Sequence, residues 1–65
     1  MRLSVRIFRN ENGGYTAVCP SLPGCMCRGE TREETMLRID EAVKGYIAAL
    51  NNFVPENLVN EVIEV

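Results

Sequence analysis

Sixty-five residues carrying seven basic and nine acidic side chains, a net charge of −2 and no histidine make one small domain with no basic stripe for a nucleic-acid backbone to find. A chain of this size buries only about 60% of the surface its unfolded form exposes. Apolar burial at about 25 cal/mol per Å² set against about 1.5 kcal/mol per ordered residue comes out near zero, so a staple or a partner is expected.

The first strand is read over Leu3 to Arg9, where Leu3, Val5 and Ile7 alternate with Ser4, Arg6 and Phe8 in the two-residue period of a half-buried strand. Asn10-Glu11-Asn12-Gly13-Gly14 is rich in residues that tolerate positive φ, so strands one and two form a hairpin. The second strand, Gly14 to Cys19, sets Tyr15, Ala17 and Cys19 against Thr16 and Val18. Pro20-Ser21-Leu22-Pro23-Gly24 then takes the chain out of the sheet, because neither proline can donate to a ladder and both hold φ near −65°. This loop is stiff and is expected to carry Leu22 at its tip.

The third strand, Cys25 to Gly29, sets Cys25 and Cys27 against Met26 and Arg28. With the thiols inward they act as small core hydrophobes; the reverse facing would bury Met26 and expose them. Three cysteines and no apolar signal segment point to a reducing cytoplasm. A structural zinc takes four ligands and no histidine is present to complete a set, so no metal or other cofactor is expected. No apolar run reaches the roughly 20 residues of a membrane span. Association with another chain is therefore the expected staple.

Thr31-Arg32-Glu33-Glu34 is a capping box that opens a helix, with both glutamates at the positive end of its dipole. Met36, Ile39, Val43, Ile47 and Leu50, flanked by Tyr46, recur every three or four residues and form the apolar stripe. Glu34 with Arg38 and Asp40 with Lys44 are opposite charges one helical turn apart. Gly45 falls on the solvent side and is read as a tolerated surface glycine. Asn51-Asn52 ends the helix and Pro55 prevents its resumption. A last strand runs from Leu58 to Val65, with Val59, Ile63 and Val65 on one side and Val62 and Glu64 on the other.

The predicted fold is a two-layer α+β domain over residues 1–65, β-β-β-α-β, with a mixed sheet in the order 3-2-1-4. A twenty-residue helix is long enough to cross the sheet, so the fourth strand is expected parallel to the first after a right-handed crossover. One helix covers one face, which should take Leu3, Val5, Ile7, Tyr15, Ala17, Ile63 and Val65. The opposite face is expected to show Phe8, Val18, Met26 and Val62 among Arg6, Thr16, Arg28 and Glu64. Contiguous exposed apolar surface usually marks an interaction site. Phe8, Val18, Leu22, Pro23, Met26 and Arg28 are accordingly the candidate partner-binding residues, the partner being a second copy or a different chain.

Gly14-Tyr15-Thr16-Ala17, Pro20 with Leu22-Pro23-Gly24-Cys25, Gly29 with Thr31 and Glu33-Glu34, and Glu41-Ala42-Val43 with Tyr46 and Leu50 together resemble the HicB antitoxin family over about Leu3 to Leu50. The resemblance implies a partly degraded RNase H-like fold, dimerisation, and neutralisation of a small HicA-like mRNA ribonuclease by direct binding. Longer members carry a C-terminal DNA-binding domain that represses their own operon; with Val65 the last residue, neither DNA binding nor autoregulation is expected. The alternative is a stand-alone homo-oligomeric module of unassigned role that takes a small ligand in an inter-subunit groove.

Catalysis is not expected. Two-metal hydrolysis needs several converging carboxylates, and Leu3 to Arg9 contains no acid. Asp40 is explained by Lys44, and Glu30, Glu33 and Glu34 by the helix start. No cysteine has a histidine to activate it.

Overall fold

In the computed structural model, which describes residues 2–64, the chain runs β1 (Arg2–Arg9), β2 (Tyr15–Val18), β3 (Met26–Gly29), α1 (Arg32–Asn51) and β4 (Val59–Glu64). The strands form one sheet ordered β3-β2-β1-β4. β1 pairs antiparallel with β2, β2 antiparallel with β3, and β1 parallel with β4. The α+β architecture and strand order expected from the sequence are those observed.

The turns follow from their residues. Gly13 takes φ 95° and closes the first hairpin with its amide on the Asn10 carbonyl at 3.1 Å; this is a conformation that suits glycine. Gly24, at φ 80°, takes the left-handed conformation that turns the second connection. There Leu22 N–H donates to the Cys19 carbonyl, Cys25 N–H to Leu22, and Cys19 N–H to Cys25, each at 3.0 Å. These three bonds fold the loop back on itself between the ends of β2 and β3.

At the helix start the Thr31 hydroxyl accepts from the Glu34 amide at 3.1 Å. At the other end Asn52 adopts the left-handed conformation, φ 63°, and donates to the Ala48 carbonyl, which is how a helix with asparagine at its end terminates. Both expected ion pairs form, Arg38 with Glu34 at 3.0 Å and Lys44 with Asp40 at 2.8 Å.

Val5 and Ile7 of β1, Ala17, Cys19, Cys25 and the helix residues Ile39, Val43 and Ile47 form the buried core. Cys25 and Cys27 face the helix side, and Met26 and Arg28 are exposed, so strand three turns its thiols inward. The helix lies over β3 and β2 more than over β1. Thr35, which the apolar stripe omitted, is fully buried because the first helical turn packs onto the end of β3.

Three placements differ from expectation. β4 is turned over: Val62 packs against the core while Val59 and Ile63 are 49% and 45% exposed. The parallel register sets Val62 beside Val5 and Glu64 beside Ile7, and Asn60 and Glu64 then reach helix partners. Asn60 Nδ2 donates to Asp40 Oδ1 at 2.9 Å, and Arg32 pairs with Glu64. Val65, expected on the core face, lies outside the described residues. Leu50, expected in the stripe, is 69% exposed: at 1.5 Å per residue a twenty-residue helix is about 30 Å long, and its last turn overhangs the sheet. Finally, Leu22 is half-buried against the core, and the exposed tip is Pro20, Ser21, Pro23 and Gly24.

Candidate functional site

Strand pairing arranges the uncovered face in rows. Phe8 opposes Thr16, which opposes Arg28. The next row runs Met26, Val18, Arg6 and Ile63 across all four strands. Beyond them lie Ser4 beside Glu61 and Arg2 beside Val59. Ile63 and Val59 thus stand where Val62 and Glu64 were expected, and the face remains a mixture of apolar and charged side chains.

Phe8 is 37% and Met26 52% exposed on this face. Thr16 is buried although it lies on the uncovered side. Its neighbours Phe8 and Arg28 flank it, and its hydroxyl donates to Asn10 Oδ1 at 2.7 Å, which ties the hairpin turn to the sheet. A polar group so covered is tolerated because it is hydrogen-bonded.

Four of the six candidate residues come together. Val18, Leu22, Pro23 and Met26 line one recess of about 170 Å³, walled also by Cys19, Pro20, Gly24 and Cys25. The turn puts them there: the backbone bonds across Cys19, Leu22 and Cys25 fold the loop back against the ends of β2 and β3. The other two candidates, Phe8 and Arg28, share a neighbouring groove of about 480 Å³ with Arg9 and the Asn10-Glu11-Asn12 turn. Around the outer edge of β3 this continues into a polar groove of about 630 Å³ that includes Arg28, Glu34 and Arg38. Arg38 also donates to the Arg28 carbonyl at 3.2 Å, so the β3 edge has a side chain seated on it.

These surfaces suit contact better than chemistry. Burial pushes the Cys25 thiol up, helped by Cys19 beside it. Burial likewise raises Cys27, with Cys25 adding to the shift and Arg38 opposing it. A thiol so held is neutral, and the thiolate is the nucleophile. Cys27 spends its proton on the Thr35 carbonyl, at 3.5 Å. Asp40 is engaged by Lys44 and Asn60. Among the described residues no cluster of three or more Cys, Asp or Glu is placed to hold a metal, and no helix is long and apolar enough to cross a membrane.

Sequence reasoning missed Ile63 and Val59 as members of the face. Alternation along the strand gave no signal for it, because Asn60 and Glu64, polar residues on the same parity as Val62, find their partners Asp40 and Arg32 only once the helix is in place.

A family described as HicB-like antitoxin of bacterial toxin-antitoxin system matches residues 3–64. Among curated proteins, a UPF0150 protein of Thermoplasma acidophilum is 35% identical over 95% of this chain and 94% of its own length. A UPF0150 protein of Synechocystis is 43% identical over 72% of this chain and 60% of its own. One from Archaeoglobus fulgidus is 35% identical over 80% and 75%. No solved structure matches the chain significantly.

Proposed function

We propose, on the premise that this chain belongs to the HicB-like antitoxin family, that it is a protein-binding antitoxin that neutralises a small HicA-like mRNA ribonuclease by direct contact. It acts in the cytoplasm by occlusion, without a reaction of its own. The observation that carries this reading is the recess formed by Val18, Leu22, Pro23 and Met26, an apolar seat held by a self-bonded turn. A rigid seat binds without an ordering cost, which suits a module whose task is to hold a partner.

Self-association belongs to the same reading and uses a different surface. β4 is an edge strand of six residues, with Val59 and Ile63 half-exposed beside it. Its carboxylates are partnered at the surface, Glu64 with Arg32 and Glu61 with Arg2, so the edge lacks the free charge that blunts strand addition elsewhere. A second copy adds there to make a homodimer.

The test is a pull-down with the product of the neighbouring reading frame. Wild-type chain retains a HicA-like protein and suppresses its RNA cleavage; Leu22→Asp and Met26→Glu, each confirmed folded by circular dichroism, do not. Equal capture by all three forms would remove the recess from the interface. Failure of the wild type to capture any such protein would sink the antitoxin reading.

A further inference from the structure

We propose that the uncovered sheet face receives a partner-protein segment that is both apolar and acidic, with Arg6 and Arg28 as its carboxylate anchors. This rests on the protein-binding reading above and adds the chemistry of what is bound.

The cations of this chain are unevenly employed. Arg2, Arg32, Arg38 and Lys44 each pair with a carboxylate. Arg6, Arg9 and Arg28 make no ion pair among the described residues, although the chain holds nine acids to seven bases. Arg6 and Arg28 are also the ones gathered around Phe8 on the uncovered face. Arg6 lies two residues before it on the same strand face and Arg28 shares its row, whereas Arg9, on the parity of Val5 and Ile7, lines the groove of Phe8 and Arg28 only from the end of β1. The acids nearby are Glu61, taken by Arg2, Glu11 in the adjoining turn, and Glu30 and Glu34 around the outer edge of β3, of which Glu34 is taken by Arg38.

Guanidinium groups without a carboxylate, set beside exposed Phe8 and Met26, match a segment that brings both apolar side chains and carboxylates, since Arg takes a carboxylate through two parallel hydrogen bonds. A second copy laid face to face would bring the same two cations against themselves, and like charges across an interface are costly. Single-stranded nucleic acid is the weaker fit: such sites stack successive bases on several aromatic rings, whereas this face offers Phe8 alone among Met26, Val18 and Ile63.

The experiment is an amide NMR titration of the whole chain with three probes: a synthetic peptide of alternating glutamate and leucine, the same peptide with glutamine for glutamate, and a single-stranded oligouridylate. The acidic peptide is expected to shift Phe8, Val18 and Met26, to weaken with salt, and to lose about tenfold in affinity in Arg6→Gln and Arg28→Gln, as lost charged hydrogen bonds imply. Equal binding of the glutamine peptide, shifts confined to other surfaces, no binding, or tighter binding of the oligouridylate would each overturn the proposal. A toxin held equally well by wild type and by the Arg6→Gln, Arg28→Gln double variant would also overturn it while leaving the antitoxin reading intact. If the wild type captures no toxin, that reading fails and the peptide titration still decides the anchors.

Discussion

A methyl group on Gly29 would stand 2.5 Å from Thr35 Oγ1 and 3.0 Å from the Thr35 amide nitrogen. The Thr35 hydroxyl is itself held, donating to the Thr31 carbonyl at 2.7 Å, and cannot swing away without losing that bond. Gly29 therefore sets how closely the helix start approaches β3, and through it the placement of the strand that carries Met26 and Arg28. Gly29→Ala is expected to cost about 1–3 kcal/mol, the range for overpacking a tight site. Gly45→Ala, which has nothing within 4 Å of the added methyl, is expected to gain up to about 1 kcal/mol. Urea denaturation of the two variants should move the midpoint in opposite directions; an unchanged Gly29→Ala midpoint would show that the contact yields.

Thr31→Ala removes the hydroxyl that accepts from the Glu34 amide. Loss of such a cap typically costs about 1 kcal/mol, which in a domain of this size lowers the melting temperature by about 4–8 °C. Thr31→Ser keeps the acceptor and should stay close to wild type. Calorimetry of both distinguishes the cap from simple side-chain truncation.

Alkaline pH should weaken the fold through its thiols. Cys25 and Cys27 are raised above the ordinary value of 9.0 by burial first and neighbouring thiols second. Below pH 9 they are neutral in both folded and unfolded chains, and their contribution is intact. As pH rises past 9.0 and through the raised folded values, the unfolded chain ionises first and the contribution is lost. Thermal melts followed from about pH 8 to pH 10.5 should show a falling midpoint, with a shallower fall in Cys25→Val, Cys27→Val. An equal slope in the double variant would assign the loss to other groups.

Association should depend on the β4 edge and not on the centre of the uncovered face. Ile63→Lys and Val59→Lys place charge beside the free strand, the device by which natural edges resist pairing. In sedimentation these variants are expected to run as monomers at concentrations where wild type is a dimer, while Phe8→Glu remains dimeric. The reverse result, dissociation by Phe8→Glu alone, would move the self-interface to the sheet face.

What the amino-acid sequence determines here is local. Alternation from Leu3 to Ile7, glycines where φ is positive, prolines at the loop, and a threonine cap followed by Ile39, Val43 and Ile47 each dictate their own element through interactions within a few residues. The order of strands follows from the helix's length and position. The facing of β4 was a tertiary decision: Val59, Val62 and Ile63 put apolar side chains on both parities, so alternation alone cannot choose between them. The choice came from register with Val5 and from Arg32 and Asp40, which reach across to Glu64 and Asn60. The same applies to Leu50, apolar and correctly spaced yet carried past the end of the sheet, and to Arg6 and Arg28, distant in the chain and neighbours only once β1 and β3 flank β2. Pairing between strands far apart in sequence is governed by which contacts can be satisfied together, and that information exists only in the folded arrangement.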